Sequence, residues 1–370
     1  MGDDEERLNG EGRLAPETFR LPVEKIRSAY YSDTYFALTK ELLEARGEHP
    51  RVTMQVFAKR QGLLGGIDEA VAILRLCSGR RLEDGSWDDG WPALRVQALA
   101  EGDPIEPWET VMTIEGDYSL FAHLETVYLG TLARRSLVMS NVRRVVDAAD
   151  GKSVLFFPAR HDHWLVQTGD GWAAHVAGAI GVSTDANASW WGGRGTGTIP
   201  HALIAVYGGD TVAAARDYAA RFASHSNIIC LVDFHNDSVG EAVKVADALG
   251  EDLWGVRLDT SEKLVDVALA DRPDADRLRG VTPELARAVR DGLDAAGHQH
   301  VKIVVSGGFD AEKIERFIAA DAPVDSFGVG SSLIRGNFDF TADVVELDGE
   351  PAGKVGRGLR PNPRLRVVAG

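Results

Sequence analysis

Two glycine-rich segments, VVSGGFDAEKI and FGVGSSLI, end apolar runs with Ser306, Gly307 and Gly308 and with Gly328, Gly330 and Ser331. Glycine lets backbone N–H groups approach an anion closely, and a helix starting just beyond adds partial positive charge, so each segment could cradle a phosphate. Either alone reads equally well as a tight turn with an N-cap serine or aspartate; the pair together favours phosphate. His201, in GRGTGTIPHALI, follows a flexible glycine approach. A neutral imidazole there could accept a reacting group, with Arg194 and Thr198 as anion contacts, or it could simply cap a helix. Asp233 and Asp237, in LVDFHND, could position a metal or hydroxyls, or cap a helix. Arg257, in GVRLDTS, is a fixed cation suited to a carboxylate, or to a salt bridge with Asp259 or Asp233. The HDH of positions 161 to 163 alternates in direction and makes a poor metal site.

These residues share one kind of address. Apolar, β-branched runs occur at SVLFF, GAIGV, GTI, NIICLVDF, LWGVRLD, VKIVVSGG and VDSFGVG, and polar residues follow each of them. Amphipathic segments lie between most: Thr211–Ala223, Ser238–Leu249, Pro283–Ala296 and Ala311–Ala320. Fully apolar strands alternating with helices imply parallel β/α units covered on both faces. Seven of them suit a short, irregular (β/α) barrel over 151–340, with an open doubly wound sheet as the alternative. In a barrel, the loops after the strands carry the chemistry, and phosphate sites favour the last two.

The earlier part is of another kind. Asp33–Arg46, Ile67–Leu76 and Leu120–Arg144 read as helices and Arg51–Lys59 as a strand, while Ala93–Ile114 has short β runs broken by Gly and Pro. VVELDGEPAGKV reads as a hairpin turning at Asp348-Gly349, which fits a barrel badly and would return to this first unit. The expected organisation is a frayed 1–18, an α/β unit of 19–150 with 341–370, and the barrel.

Composition removes several classes. The 370 residues carry 40 Lys+Arg against 56 Asp+Glu, a net charge of −16, which argues against broad nucleic-acid or anionic-membrane binding. The acidic first residues show no apolar signal region, and no stretch is long enough to span a bilayer, so a cytoplasmic protein is expected. Cys77 and Cys230 sit in apolar runs without a CxxC pair, which predicts neither a disulfide framework nor structural zinc. The basic tail KVGRGLRPNPRLRVV reads as a salt-bridged face, or, through Lys354 or Arg357, as a phosphate contact.

In order along the chain, SDTYFALT, HLETVYLGTLA, GVSTDANAS, GTGTIPHALI, LVDFHND, GVRLDTS, VVSGGFDAEKI, FGVGSSLI and ELDGEPAGKVGR resemble the nicotinate phosphoribosyltransferases of the type II phosphoribosyltransferase fold. The resemblance spans about Asp33 to Arg357. It implies an irregular α/β barrel paired with a sandwich domain built from both chain ends, in homodimers whose sites draw on both subunits. It implies the reaction of nicotinate and phosphoribosyl pyrophosphate to nicotinate mononucleotide and pyrophosphate, with Mg²⁺, driven by ATP through a phosphohistidine. By motif the phosphohistidine falls on His201, the neighbouring substrate threonine on Thr198, and the aromatic over the pyridine ring on Tyr35. Arg257 falls beside the nicotinate carboxylate, and Arg160, Asp233 and Asp259 join the substrate-binding set. Ser331 stands where a threonine usually meets the ribosyl phosphate, with Ser306, Gly307, Gly308, Gly328 and Gly330 around it. Where many relatives have paired arginines after a Phe-Gly strand end, this chain has FFPARHDH, with Arg160 and then His161. It lacks the cysteine-rich segment of some relatives, so no zinc is expected. Rival readings are a quinolinate or nicotinamide phosphoribosyltransferase on the same scaffold, and a non-catalytic nucleotide-binding relative.

Overall fold

The computed structural model describes residues 12–369, which divide at Ser140 and Gly336 into two compact units. Both divisions come earlier than the composition shift suggested, the first falling inside the Glu125–Ala148 helix.

The first unit is built on a six-stranded sheet. Strand Arg51–Ala58 lies between Thr110–Asp117 and Phe340–Leu347, antiparallel to both. The late strand therefore returns to the first unit, turning at Asp348 (φ 52°) and Gly349 (φ 84°) before Glu350–Pro351. Two successive left-handed residues are what a tight hairpin with the right strand twist requires. Arg366–Ala369 adds a further strand against Arg95–Ala98. The basic tail is tied down here: Arg357 pairs with Asp343 at 3.3 Å, and Arg364 with Glu109 at 2.8 Å. Its salt-bridged reading holds at those two positions.

Two sequence readings need correction. The described part of the segment expected to fray, Gly12 to Thr18, is anchored: Arg13 is buried and pairs with Asp68 at 2.7 Å, and Leu14 N–H donates to the same carboxylate. A buried guanidinium requires such a partner, and the partner lies far away in sequence, where local reading could not find it. Residues 1–11 lie outside the described residues. The helix expected from Leu120 begins at Glu125, after two short 3₁₀ turns, Tyr118–Leu120 and Ala122–Leu124.

His123, in the second of those turns, is fully buried. Burial, and then the nearby Lys40 ammonium, push its pKa down to about 3. The unfolded chain takes up a proton below about pH 6.5 that the folded chain refuses, so stability falls with pH from there toward 3. At pH 5.5 this one group should cost about 1.4 kcal/mol relative to pH 7.5. Urea unfolding of His123→Leu should show a flatter acid-side loss by that amount; an unchanged slope would assign the acid sensitivity to other groups.

The second unit holds the parallel sheet, in the order Ile228–Leu231, Leu253–Leu258, Lys302–Val305, Ser326–Val329, Ser153–Phe156, Gly181–Val182. Ile228–Leu231 and Ser326–Val329 are buried at every position, as strands covered on both faces must be. Helices Thr211–Phe222, Ser238–Leu249, Pro283–Ala295 and Ala311–Ala319 supply apolar faces; Leu285, Val289 and Leu293 are buried on one of them. The third of the seven expected strands, GTI, is not a strand. It is reduced to one parallel bridge between Ile199 and Cys230. Even so, it connects the sheet's two edges: Thr196 N–H donates to Val182 O (2.7 Å), and Ile199 N–H to Ile229 O (2.9 Å). The sheet is curled into an irregular barrel whose closing member is a loop.

Candidate active site

Loops at the carboxyl ends of these strands surround one cavity of about 690 Å³. Arg160, Thr198, His201, Arg257 and Asp259 line it, as do Ser306, Gly307, Gly308, Gly328, Gly330 and Ser331. Asp233 is not on the wall but stands behind His201. Tyr35 belongs to the first unit, on the Thr34–Arg46 helix, with its side chain 62% exposed. Arg194 is not among the lining residues.

Arg257 sits near the end of its strand, and its guanidinium is held by three partners. Its Nε donates to Ser306 Oγ at 2.7 Å, Nη1 donates to Thr198 Oγ1 at 3.1 Å, and Nη2 lies 3.4 Å from Asp259 Oδ2. Ser306 Oγ in turn lies 2.8 Å from Asp259 Oδ1 and 3.1 Å from Leu258 O, either of which can take its proton. Burial depresses the Arg257 pKa, and the Asp259 and Asp233 carboxylates oppose that shift. Guanidinium has five N–H donors. Three are engaged, which leaves two for a ligand. The salt-bridge and the ligand readings of Arg257 are therefore compatible.

His201 opens the short helix His201–Val206, directly after Pro200. Its Nε2 is 3.0 Å from Oδ1 of Asp233, whose side chain is buried. That hydrogen bond is the main cause of a raised His201 pKa. With the Nε2 proton directed to a carboxylate, the neutral ring presents its lone pair on Nδ1.

The glycine loops are shaped by close approach. Gly307 and Gly308 have φ of 88° and 65°, and a Cβ on Gly307 would lie 3.3 Å from Asp259 Oδ1. At Gly328 a Cβ would come within 2.9 Å of the Phe157 ring, and at Gly330 within 2.9 Å of His161 Cε1. The helix contribution expected at these loops is not there. Ser331–Ile334 is a four-residue 3₁₀ turn, too short for an appreciable macrodipole. Ala311–Ala319 already carries Asp310 as its cap, accepting from Lys313 N–H at 2.9 Å. Positive charge comes from side chains instead: Arg160, Arg335, which donates to Ser331 Oγ at 3.0 Å, and Lys313, which donates to Gly307 O at 2.9 Å.

Phe157 and Gln167 also line the cavity and were not singled out from the sequence. Phe157 is the aromatic wall, its ring centre 5.5 Å from the Arg257 guanidinium carbon. Its neighbour in FFPARH, Phe156, is wholly buried, and nothing in the pattern separates the two. Among the described residues no three His, Cys, Asp or Glu side chains converge as a metal site. Asp233 and Asp259 both act electrostatically on His201, so two carboxylates do stand near one edge of the cavity. That suits a divalent cation carried mainly by ligand oxygens and water, the usual habit of Mg²⁺.

Comparison with known proteins places this arrangement. A structure of a nicotinate-nucleotide pyrophosphorylase from Pyrococcus furiosus is 33% identical, with a TM-score of 0.77 over 94% of this chain and 85% of that one. The chain belongs to the type II phosphoribosyltransferase family. Residues 33–136 match the quinolinate phosphoribosyl transferase N-terminal domain. A nicotinate phosphoribosyltransferase of Mycobacterium tuberculosis is 32% identical over 273 residues, 70% of this chain and 55% of that protein. The chain thus spans about half the length of the curated relatives it matches. Human nicotinic acid phosphoribosyltransferase, at 19% identity and a TM-score of 0.66, shares the family fold, covering 87% of this chain and 76% of that one.

Proposed function

We propose that this chain transfers the phosphoribosyl group of phosphoribosyl pyrophosphate to nicotinate, forming nicotinate mononucleotide and pyrophosphate in NAD salvage, with ATP hydrolysis coupled through His201. One observation carries this reading: a partly buried, three-partnered guanidinium, an aspartate-tethered imidazole and two glycine loops open into one cavity.

The two unengaged N–H groups of Arg257 meet the single carboxylate of nicotinate, and the pyridine ring lies along Phe157. Glycine backbone and Ser331 receive the ribosyl phosphate. The transition state at the anomeric carbon has oxocarbenium character, so holding the charged groups around it in place does most of the work. Magnesium, held through Asp259 and substrate oxygens, would neutralise charge on the pyrophosphate. His201 Nδ1 attacks the γ-phosphorus of ATP while ADP leaves, and water later releases phosphate from the imidazole. Asp233 stabilises the ring throughout by accepting its Nε2 proton.

The raised His201 pKa sets a pH dependence. Only neutral His201 attacks, so ATP hydrolysis should rise as pH increases through that pKa. Asp233→Asn removes the carboxylate that raises it, so the acidic limb should move to lower pH while the plateau falls, since the tautomer is no longer held. A limb that stays in place would mean that another group titrates.

The reading includes a homodimer with shared sites, in which Tyr35 of one subunit covers the pyridine ring in its partner. Its support is the exposed stripe Tyr35, Leu38 and Leu42, spaced to lie on one face of the helix. Tyr35→Ala should raise the nicotinate KM at least tenfold, since stacking adds roughly 1 kcal/mol to the contact area lost with the ring. Tyr35→Phe should change it little. An unchanged KM in the alanine variant would place the ring elsewhere. The reading includes a cytoplasmic location, supported by two cysteines that are buried and unpaired; no helix among the described residues is long and apolar enough to cross a membrane.

Incubation with phosphoribosyl pyrophosphate, Mg²⁺ and ATP, offering nicotinate, nicotinamide or quinolinate in turn, tests the assignment by product chromatography. Nicotinate mononucleotide from nicotinate alone is the expected outcome. Comparable turnover of nicotinamide, or nicotinate mononucleotide and CO₂ from quinolinate, would overturn it.

A further inference from the structure

His161 lines the cavity beside the Gly330 loop, and its place there gives it work to do. Its ring edge abuts Gly330 so closely that a Cβ there would meet Cε1 at 2.9 Å. Across the same loop, Arg335 Nη2 donates to Ser331 Oγ at 3.0 Å. Arg160 precedes His161 on one 3₁₀ turn, Ala159–His161. His161 and Arg335 thus flank Gly330 and Ser331, where the short 3₁₀ turn supplies little dipole, and Arg160 lines the same cavity.

We propose that His161 and Arg335 complete the seat for the ribosyl phosphate, and that this seat holds its anion fully only while His161 is protonated. The inference rests on the reading of this cavity as a phosphoribosyl site. A second arginine would be a permanent cation; an imidazole is a conditional one. Partial desolvation of this otherwise exposed ring lowers the proton affinity of His161, and Arg160 on its own turn and Arg335 across the loop lower it further. The neighbouring Asp162 carboxylate is turned to His163 N–H, at 2.6 Å. Near neutral pH the empty seat therefore holds a neutral ring. An arriving phosphate dianion reverses the balance of charge, so a proton is taken from solvent to His161 as the phosphate binds. Each unit by which the bound phosphate raises that proton affinity is a tenfold change in binding across the pH range concerned.

The test is calorimetric titration with ribose 5-phosphate, at pH 6.5 and 8.0, in buffers of different ionisation enthalpy. The ligand's own ionisation is common to every variant, so differences between variants isolate the protein. Wild type should take up more protons on binding than His161→Arg or His161→Gln. Its affinity should fall about tenfold further than that of His161→Arg between the two pH values. Arg335→Ala should weaken binding roughly tenfold to hundredfold at both pH values. Parallel pH profiles and equal proton uptake in wild type and His161→Arg would overturn the role of His161. Unchanged affinity in Arg335→Ala would overturn that of Arg335. If wild type fails to bind ribose 5-phosphate at either pH yet still forms nicotinate mononucleotide, the seat is wrong and the proposed reaction stands. If it does neither, both fail.

Discussion

His201→Asn is expected to abolish ATP hydrolysis while a weak, ATP-independent transfer of the phosphoribosyl group persists. Asparagine keeps size and polarity but offers no nitrogen that can accept a phosphoryl group. The loops around Ser306, Gly308, Gly328 and Ser331 are untouched, so substrate binding survives. Energetic coupling needs a differential interaction: phosphorylated His201 adds negative charge at the cavity wall and changes how tightly phosphoribosyl pyrophosphate and its products are held. Without it, the ATP stimulation should disappear and the KM for phosphoribosyl pyrophosphate should rise to the value wild type shows without ATP. Labelling with γ-³²P-ATP, followed by an alkaline quench that preserves phosphohistidine, should mark wild type and not the variant. Full ATP stimulation in His201→Asn would make the histidine structural, a helix-opening residue tethered to Asp233.

Arg257 carries the second large effect. Its guanidinium organises Ser306, Thr198 and Asp259 at once, which one ammonium on a flexible stem does not reproduce. Arg257→Lys should therefore be severe, and Arg257→Met more so, because it also leaves Asp259 without its countercharge. Losing one partner of a buried, hydrogen-bonded charge pair costs about 2–5 kcal/mol, or roughly 30-fold to several-thousand-fold in kcat/KM for nicotinate. Nicotinamide, having no carboxylate to lose, should suffer much less, so the preference for nicotinate should collapse in Arg257→Met. Equal losses for both substrates would mean that Arg257 only supports the wall.

What was legible in the sequence follows from what is local. Ile228–Leu231 and Ser326–Val329 read as strands because both faces are covered and, Ser326 apart, no residue in them is polar. The Asp348-Gly349 turn was legible because two successive left-handed residues leave a compositional mark. GTI resembled a strand because three β-branched or small residues look alike in a strand and in a closing loop; only the bonds from Thr196 and Ile199 distinguish them. Misreadings at a distance have another origin. Arg13 is held by Asp68, and His201 by Asp233, pairs that no local pattern announces. The glycine loops and the aspartate cap at Asp310 were visible, but the rest of their electrostatics was not: the second helix is one 3₁₀ turn, and Arg335, just beyond the motif, donates to Ser331.

One ³¹P NMR time course follows every phosphorus of the proposed reaction. Protein, nicotinate, phosphoribosyl pyrophosphate and Mg²⁺ share one tube, first without ATP and then with it. The phosphoribosyl pyrophosphate signals should give way in equal amounts to pyrophosphate and to a new monoester, nicotinate mononucleotide. Added ATP should speed the conversion and push it further toward product as ADP and phosphate appear. Persistent phosphoribosyl pyrophosphate in the presence of nicotinate and ATP, or ATP hydrolysis with no monoester formed, would contradict the proposed reaction.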